Sequence, residues 1–227
     1  MASDPLIAFP GKLPAVGNAW LLLQLADSAF PSGGFVHSGG LEAAWQHGEV
    51  RNRSDLASVV EAGLRQVARA SLPFLHPAHQ EPKELPAIDR ECEAFTSNHV
   101  ANRASRLQGR ALLASSIRIF SIPDFAPPFG HVAPVLGVVG NCLGLDRGET
   151  ARLFLFQQVR GYCSAAVRLG IVGPLEAQAL QHRMTPILDT LLEECFNLGI
   201  DDACQTSPLL DLWQGTHDRL YSRLFQS

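Results

Sequence analysis

Three patterns in this sequence carry side chains that could do chemistry. The first spans residues 30–42, where Phe30-Pro31-Ser32-Gly33-Gly34 runs into His37, Ser38, Gly39, Gly40 and Glu42. A glycine-rich turn that opens a helix leaves backbone N–H groups without partners, and such groups can hold a phosphate. This turn lacks the lysine and the serine or threonine of a P-loop, and no strand pattern precedes it. A hydrolytic pair of His37 and Ser38 is disfavoured because neighbours on a helix point about 100° apart. No GxSxG elbow occurs either. The residue types suit a tight corner between two helices. The second pattern is His76 and His79, with Glu81 beyond, in a proline-rich stretch. Loop histidines at that spacing are weak candidates for a borderline metal such as zinc or nickel, since two are few for a tight site. There is no HExxH, no paired ExxH and no CxxC, so no resident metal or other cofactor is expected.

The third pattern is cationic. Arg103, Arg106 and Arg110 recur at spacings of three and four and share one helix face. They could bind a carboxylate patch or a nucleotide phosphate on a partner; an ordinary solvated face is the plainer alternative. The carboxylate pairs Glu193-Glu194 and Asp201-Asp202 are sequence neighbours, face different ways and suit solvated helix ends. The end of the chain brings Tyr221, Arg223, Leu224 and Phe225 together. Terminal segments fray unless something covers them, and aromatic and arginine side chains are what an interface anchor requires. Either this tail docks back on its own core or it orders on a partner. No constellation amounts to a catalytic centre, and the chain is not expected to be an enzyme.

The elements that position these groups read as helices. Residues 20–29 form an apolar pattern expected to be mostly buried, and residues 35–48 read as a second helix. Ser54 is a plausible N-cap for a longer helix whose Leu56, Val59, Val60, Gly63, Leu64 and Val67 share a face. Residues 76–86 carry three prolines and are expected to form a loop. Helical character resumes over 88–98 and 102–120, the latter with Ala104, Leu107, Ala111, Leu112, Ser115 and Ile119 on one side. Further helices are expected at 131–145, 149–169 and 175–198, the last interrupted or tightened at Pro186. Sustained polar–apolar alternation is absent, as is any asparagine–glycine hairpin. The expectation is an all-α protein: a flexible arm over residues 1–17, then one multi-helix domain of about eight helices over 18–227, ending in a tail at about 209–227.

The bulk properties exclude several classes. Of 227 residues, 46% are hydrophobic and 18% charged, which suits a globular core and not a disordered chain. A formal charge of −4 gives no general attraction to nucleic acid or an anionic membrane. No apolar run approaches the roughly 18 residues that span a bilayer. With no secretory signal pattern at the start and five widely spaced cysteines in apolar contexts, a cytoplasmic location with reduced thiols is expected.

Four blocks resemble the urease accessory protein UreF family. They are residues 22–42, from Leu22-Leu23-Gln24-Leu25-Ala26-Asp27-Ser28 to Gly39-Gly40-Leu41-Glu42; the run Asn102-Arg103-Ala104-Ser105-Arg106-Leu107-Gln108-Gly109; Phe129-Gly130-His131 through Gly137 to Arg168-Leu169-Gly170; and Val172-Gly173-Pro174-Leu175 to Gln178 with the ending Tyr221-Ser222-Arg223-Leu224-Phe225. The resemblance implies an all-α, often homodimeric adaptor that helps build the nickel centre of urease. Its implied partners are apo-urease, a second scaffold protein (accessory protein D, also called H) and a nickel-carrying GTPase (accessory protein G), with nickel handled by the complex. The partner-binding candidates it marks are Pro31, Gly33, Gly34, His37, Ser38, Gly40, Glu42, Arg103, Arg106, Gly109, Tyr221, Arg223, Leu224 and Phe225. An alternative within it is a regulator that stimulates the GTPase with an arginine from the 102–110 face.

Overall fold

A computed structural model describes residues 18–227, so the expected arm at 1–17 lies outside the described residues. Among the described residues there are nine α-helices and no strand: α1 (Ala19–Ala26), α2 (Leu41–Gln46), α3 (Arg53–Gln80), α4 (Leu85–Phe95), α5 (His99–Phe120), α6 (Val132–Cys142), α7 (Arg147–Arg168), α8 (Pro174–Cys195) and α9 (Pro208–Gly215). Short 3₁₀ turns join several of them. The all-α expectation holds. α3 is the central rod. It packs most extensively on α6 and also lies along α7 and α8, while α5 covers the other side of α6. One large apolar core fills the space between these helices. A smaller one, built on Phe74, Leu85, Ile88 and Val138, lies under α4.

α3 departs most from expectation. Its 28 residues run through Pro73 and Pro77, so most of the loop expected at 76–86 is helix. A proline inside a helix removes one hydrogen bond and costs about 3 kcal/mol. Here the cost is offset by burial, because Leu72, Phe74, Leu75, Ala78 and both histidines of this turn are inside the protein. The carbonyl that Pro73 cannot serve, that of Arg69, instead accepts the N–H of Cys204 from the segment after α8. The chain breaks only at Glu81 and the turn Pro82–Glu84. At its other end α3 is capped by Asn52, whose side chain accepts from the N–H groups of Ser54 and Asp55. Ser54 is therefore not the cap. α8 likewise continues through Pro186.

Two other expectations need correction. α1 is not mostly buried: Leu25 faces inward, but Trp20 is 83% exposed and Leu23 is 63% exposed. On α5, Leu107 and Ile119 are exposed, and the buried face runs instead through Val100, Ala104, Gly109, Leu112, Leu113 and Ser116. α6 packs along that face.

Candidate functional site

The glycine corner is not one helix. A 3₁₀ turn, Gly34–Val36, follows Gly33, and α2 begins only after Gly40, whose φ of 88° is left-handed and suits glycine. The corner is pinned from the α5 side, where Ser115 Oγ donates to the carbonyl of Pro31 at 2.9 Å. Gly33 and Gly34 lie against Ala111 and Gln108 of the same helix.

The other face of the corner holds the tail. Glu42 is buried, and its Oε1 accepts the N–H of Leu224 at 2.6 Å. Its Oε2 accepts from Phe225 N at 3.2 Å and from His217 Nε2 at 3.0 Å. Gln226 N donates to Val36 O, and the carbonyl of Ser227 accepts both the N–H and the Oγ–H of Ser38. His37 Nδ1 meets Ser227 Oγ at 2.5 Å. The Phe225 ring is buried beneath the Arg168 guanidinium, 4.1 Å away. With Gln46 Nε2 donating to the Ser222 carbonyl at 2.8 Å, residues 222–227 run along residues 36–46 like a strap. Of the two alternatives for the tail, docking on its own core is the one this conformation adopts. His37 and Ser38 both serve Ser227 and do not form a nucleophile–base pair. Burial, then the charges of Arg103 and His217, hold the His37 ring down at about 4, so it is neutral near pH 7. Below the corner lies a cavity of about 510 Å³ whose mixed lining includes Gln66, Ser105, Gln157 and Tyr162 beside Phe30, Leu112 and Phe154.

The strap divides the candidate residues. His37, Ser38, Gly40, Glu42 and Phe225 are inside, holding the tail. Tyr221, Arg223 and Leu224 point outward, with Tyr221 fully exposed.

Arg103, Arg106 and Arg110 do share a face of α5, and each is engaged there. Arg103 makes a two-pronged contact with Asp218 at 2.8 and 3.0 Å, which links α5 to the base of the strap. That contact, above all, carries the Asp218 carboxyl below its ordinary range. Arg106 approaches Glu93 at 3.5 Å and lies over the Phe129 ring, while Arg110 Nε donates to the Phe129 carbonyl at 2.8 Å. Gly109 sits on the flank of this face, against the same 129–132 segment that Arg106 and Arg110 touch. A Cβ there would come 2.2 Å from the Gly130 carbonyl oxygen, so this glycine admits the chain before α6 and is covered by it.

Beside this face is a buried polar cluster that the sequence did not single out. Asp89 is fully buried, and its carboxylate accepts the N–H groups of Phe129, Gly130 and His131 at 2.7 to 2.8 Å, fixing the turn that leads into α6. His131 bridges Ser105 at 3.0 Å and Glu93 at 2.8 Å. Burial lowers its pKa against the pull of Glu93. Burial raises the Glu93 carboxyl, but bonds from Asn102 and His131 and the Arg106 charge leave it below its ordinary value. Asp89 is an acid within α4 whose targets begin forty residues further on, so no local pattern marks it.

The two metal candidates are helix-interior residues. His76 is buried edge-on against Phe196, with the Cys195 backbone beside its ring. His79 Nε2 meets the Leu145 carbonyl at 2.9 Å. Among the described residues no group of three or more histidine, cysteine or acidic side chains is arranged to hold a metal ion. No helix among them is long and apolar enough to cross a membrane.

The UreF family model matches residues 50–185, more than half of the chain. The chain belongs to the UreF family. Similarity to curated members extends well beyond the matched region. The urease accessory protein F of Arabidopsis thaliana is 39% identical over 221 residues, 92% of each chain. That of Oryza sativa subsp. indica is 37% identical over 221 residues, 92% of this chain and 85% of its own. The urease accessory protein UreF of Mycobacterium sp. strain JLS is 32% identical over 211 residues, 91% and 97%. As a UreF-family member the chain is a urease accessory protein, with a role in urease maturation. The glycine corner and the strap lie outside residues 50–185.

Proposed function

We propose that this chain is an adaptor for nickel insertion into apo-urease, acting in the cytoplasm as a homodimer with the scaffold accessory protein D/H and the nickel-carrying GTPase G. The observation that carries this reading is the similarity to urease accessory proteins over nine-tenths of the chain. The geometry supports a binding role. The strap fixes Tyr221 and Leu224 in an outward-facing position beside the corner, and Trp20 and Leu23 leave an apolar face on α1. The corner edge at Pro31, Gly33 and Gly34 and the Arg103/Arg106 face meet the GTPase or urease; the strap meets the scaffold protein. Such an adaptor promotes nucleotide-linked nickel transfer only by preferring one state of the GTPase. The test is complementation: cells lacking the gene should produce poorly metallated urease at trace nickel, and this chain should restore it. Fully active urease without it would refute the role. Removing residues 220–227 should abolish capture by the scaffold protein, and undiminished capture would sink the part given to the strap.

A second reading is stimulation of the GTPase by an arginine. Arg106 is the better candidate, because the fork of Arg103 is taken by Asp218. GTP turnover that rises with this chain, and falls back with Arg106→Ala, would favour it. Unchanged turnover with binding intact favours the adaptor.

A further inference from the structure

A surface groove of about 600 Å³ runs along α5, lined by Glu93, Asn102, Arg103, Arg106, Leu107 and Arg110 among others. One end already shows what it accepts. The Asp218 carboxylate lies across the Arg103 fork, with His99 Nε2 at 3.4 Å. The other end is only lightly loaded. Arg106 reaches Glu93 by a single contact at 3.5 Å, and Glu93 is already bonded by His131 and Asn102. Arg110 uses Nε on a backbone carbonyl, and no carboxylate pairs with it among the described residues. The Phe129 ring under Arg106, 5.3 Å from its guanidinium carbon, holds that plane in place. Two fixed, planar donors therefore face the groove with hydrogen-bonding capacity to spare, and a guanidinium fork matches a carboxylate in shape and charge.

Building on the adaptor reading above, we propose that this groove seats an extended acidic segment of a protein partner, with carboxylates at positions i and i+2 on Arg106 and Arg110. The spacing selects that pattern. Four residues of helix advance about 6 Å, and alternate side chains of an extended strand are about 6.6 Å apart. Half-exposed Leu107, in the same groove, offers an apolar contact to the methylene groups of the two acidic side chains. The chain as a whole is acidic, so attraction for such a segment is confined to this stripe and gives register, not general stickiness.

The test follows the arginine Nε–Hε signals of the full ¹⁵N-labelled chain by NMR, with Arg106→Lys and Arg110→Lys assigning the two resonances. The probe is the capped peptide Thr-Glu-Thr-Glu-Thr; comparison ligands are Thr-Gln-Thr-Gln-Thr, a peptide with the two glutamates adjacent, GTP and inorganic phosphate. The alternating glutamate peptide should shift both signals, the glutamine peptide neither, and the adjacent-acid peptide should bind at least threefold more weakly. The double substitution Arg106→Ala/Arg110→Ala should weaken binding at least tenfold, while Arg152→Ala/Arg183→Ala on other helices leaves it unchanged. Silent signals, equal response to the glutamine peptide, or tighter binding of GTP or phosphate than of the peptide would overturn the proposal, and the wild-type titration decides even if the double variant fails to fold. Failure here is separable from failure of the adaptor reading: restored urease with a silent groove sinks only this proposal, and a responsive groove without restored urease sinks only the adaptor.

Discussion

The strap over the corner and the arginine groove on α5 are both polar, yet they are built on opposite principles. Around Glu42 the polar atoms are withdrawn from water, and one carboxylate satisfies three donors from the tail side. Along α5 the charges stay near solvent, and each arginine has a looser or more exposed partner. Buried networks hold tightly and fail badly when one member is lost, because the remaining groups cannot turn to water. Exposed pairs contribute little to stability and remain available for exchange. The first region suits permanent shaping of a surface and the second suits reversible contact.

The sharpest way to break this contrast is Glu42→Ala. It strands His217 Nε2 and two backbone N–H groups, and should destabilise the protein by about 3–5 kcal/mol while exposing residues 220–227 to protease. Denaturant titration and limited proteolysis measure both; a loss under 1 kcal/mol would put the Glu42 network on the same footing as the surface pairs. Next comes Gly109→Ala, which sets a methyl group against the Gly130 backbone and should cost about 1–3 kcal/mol. Retention of full stability would mean that α5 and the start of α6 are not locked together.

Between about pH 6.5 and 4, acid should act through the buried imidazoles. His76 titrates near 6.5 in the unfolded chain and at about 4 when folded, because burial, then the Arg147 charge, opposes protonation. The unfolded state thus binds more protons between these values, so stability is complete above about pH 6.5 and falls as pH drops toward 4. At pH 5 the loss is about 2 kcal/mol from this ring, and His76→Leu should remove that part of the acid slope. His37 follows the same sign and window. The smallest effect belongs to Arg103→Ala, expected to cost at most about 1 kcal/mol and to shrink further in high salt. A larger, salt-independent loss would show that the Arg103–Asp218 link is part of the buried strap and not of the groove.

Legibility in the sequence follows the range of the interactions. The extents of α5 and α7 were readable from local helical character, although the buried face of α5 was not, and the arginine stripe was readable because spacing alone puts three side chains on one face. α3 was misjudged because local propensity at Pro73 and Pro77 yields to burial and to the distant N–H of Cys204. The polarity of the corner residues was visible, but their role was not. Glu42 finds Leu224 182 positions away, and no local pattern announces that pairing. Asp89 was missed for the same reason.

The strap has a bearing on how the protein comes into being. Residues 36–46 are translated well before residues 217–227, so contacts such as that of Glu42 with Leu224 form only after the intervening helices have been made. A partner that reads the surface beside the corner therefore reads the joining of two segments that lie far apart in sequence.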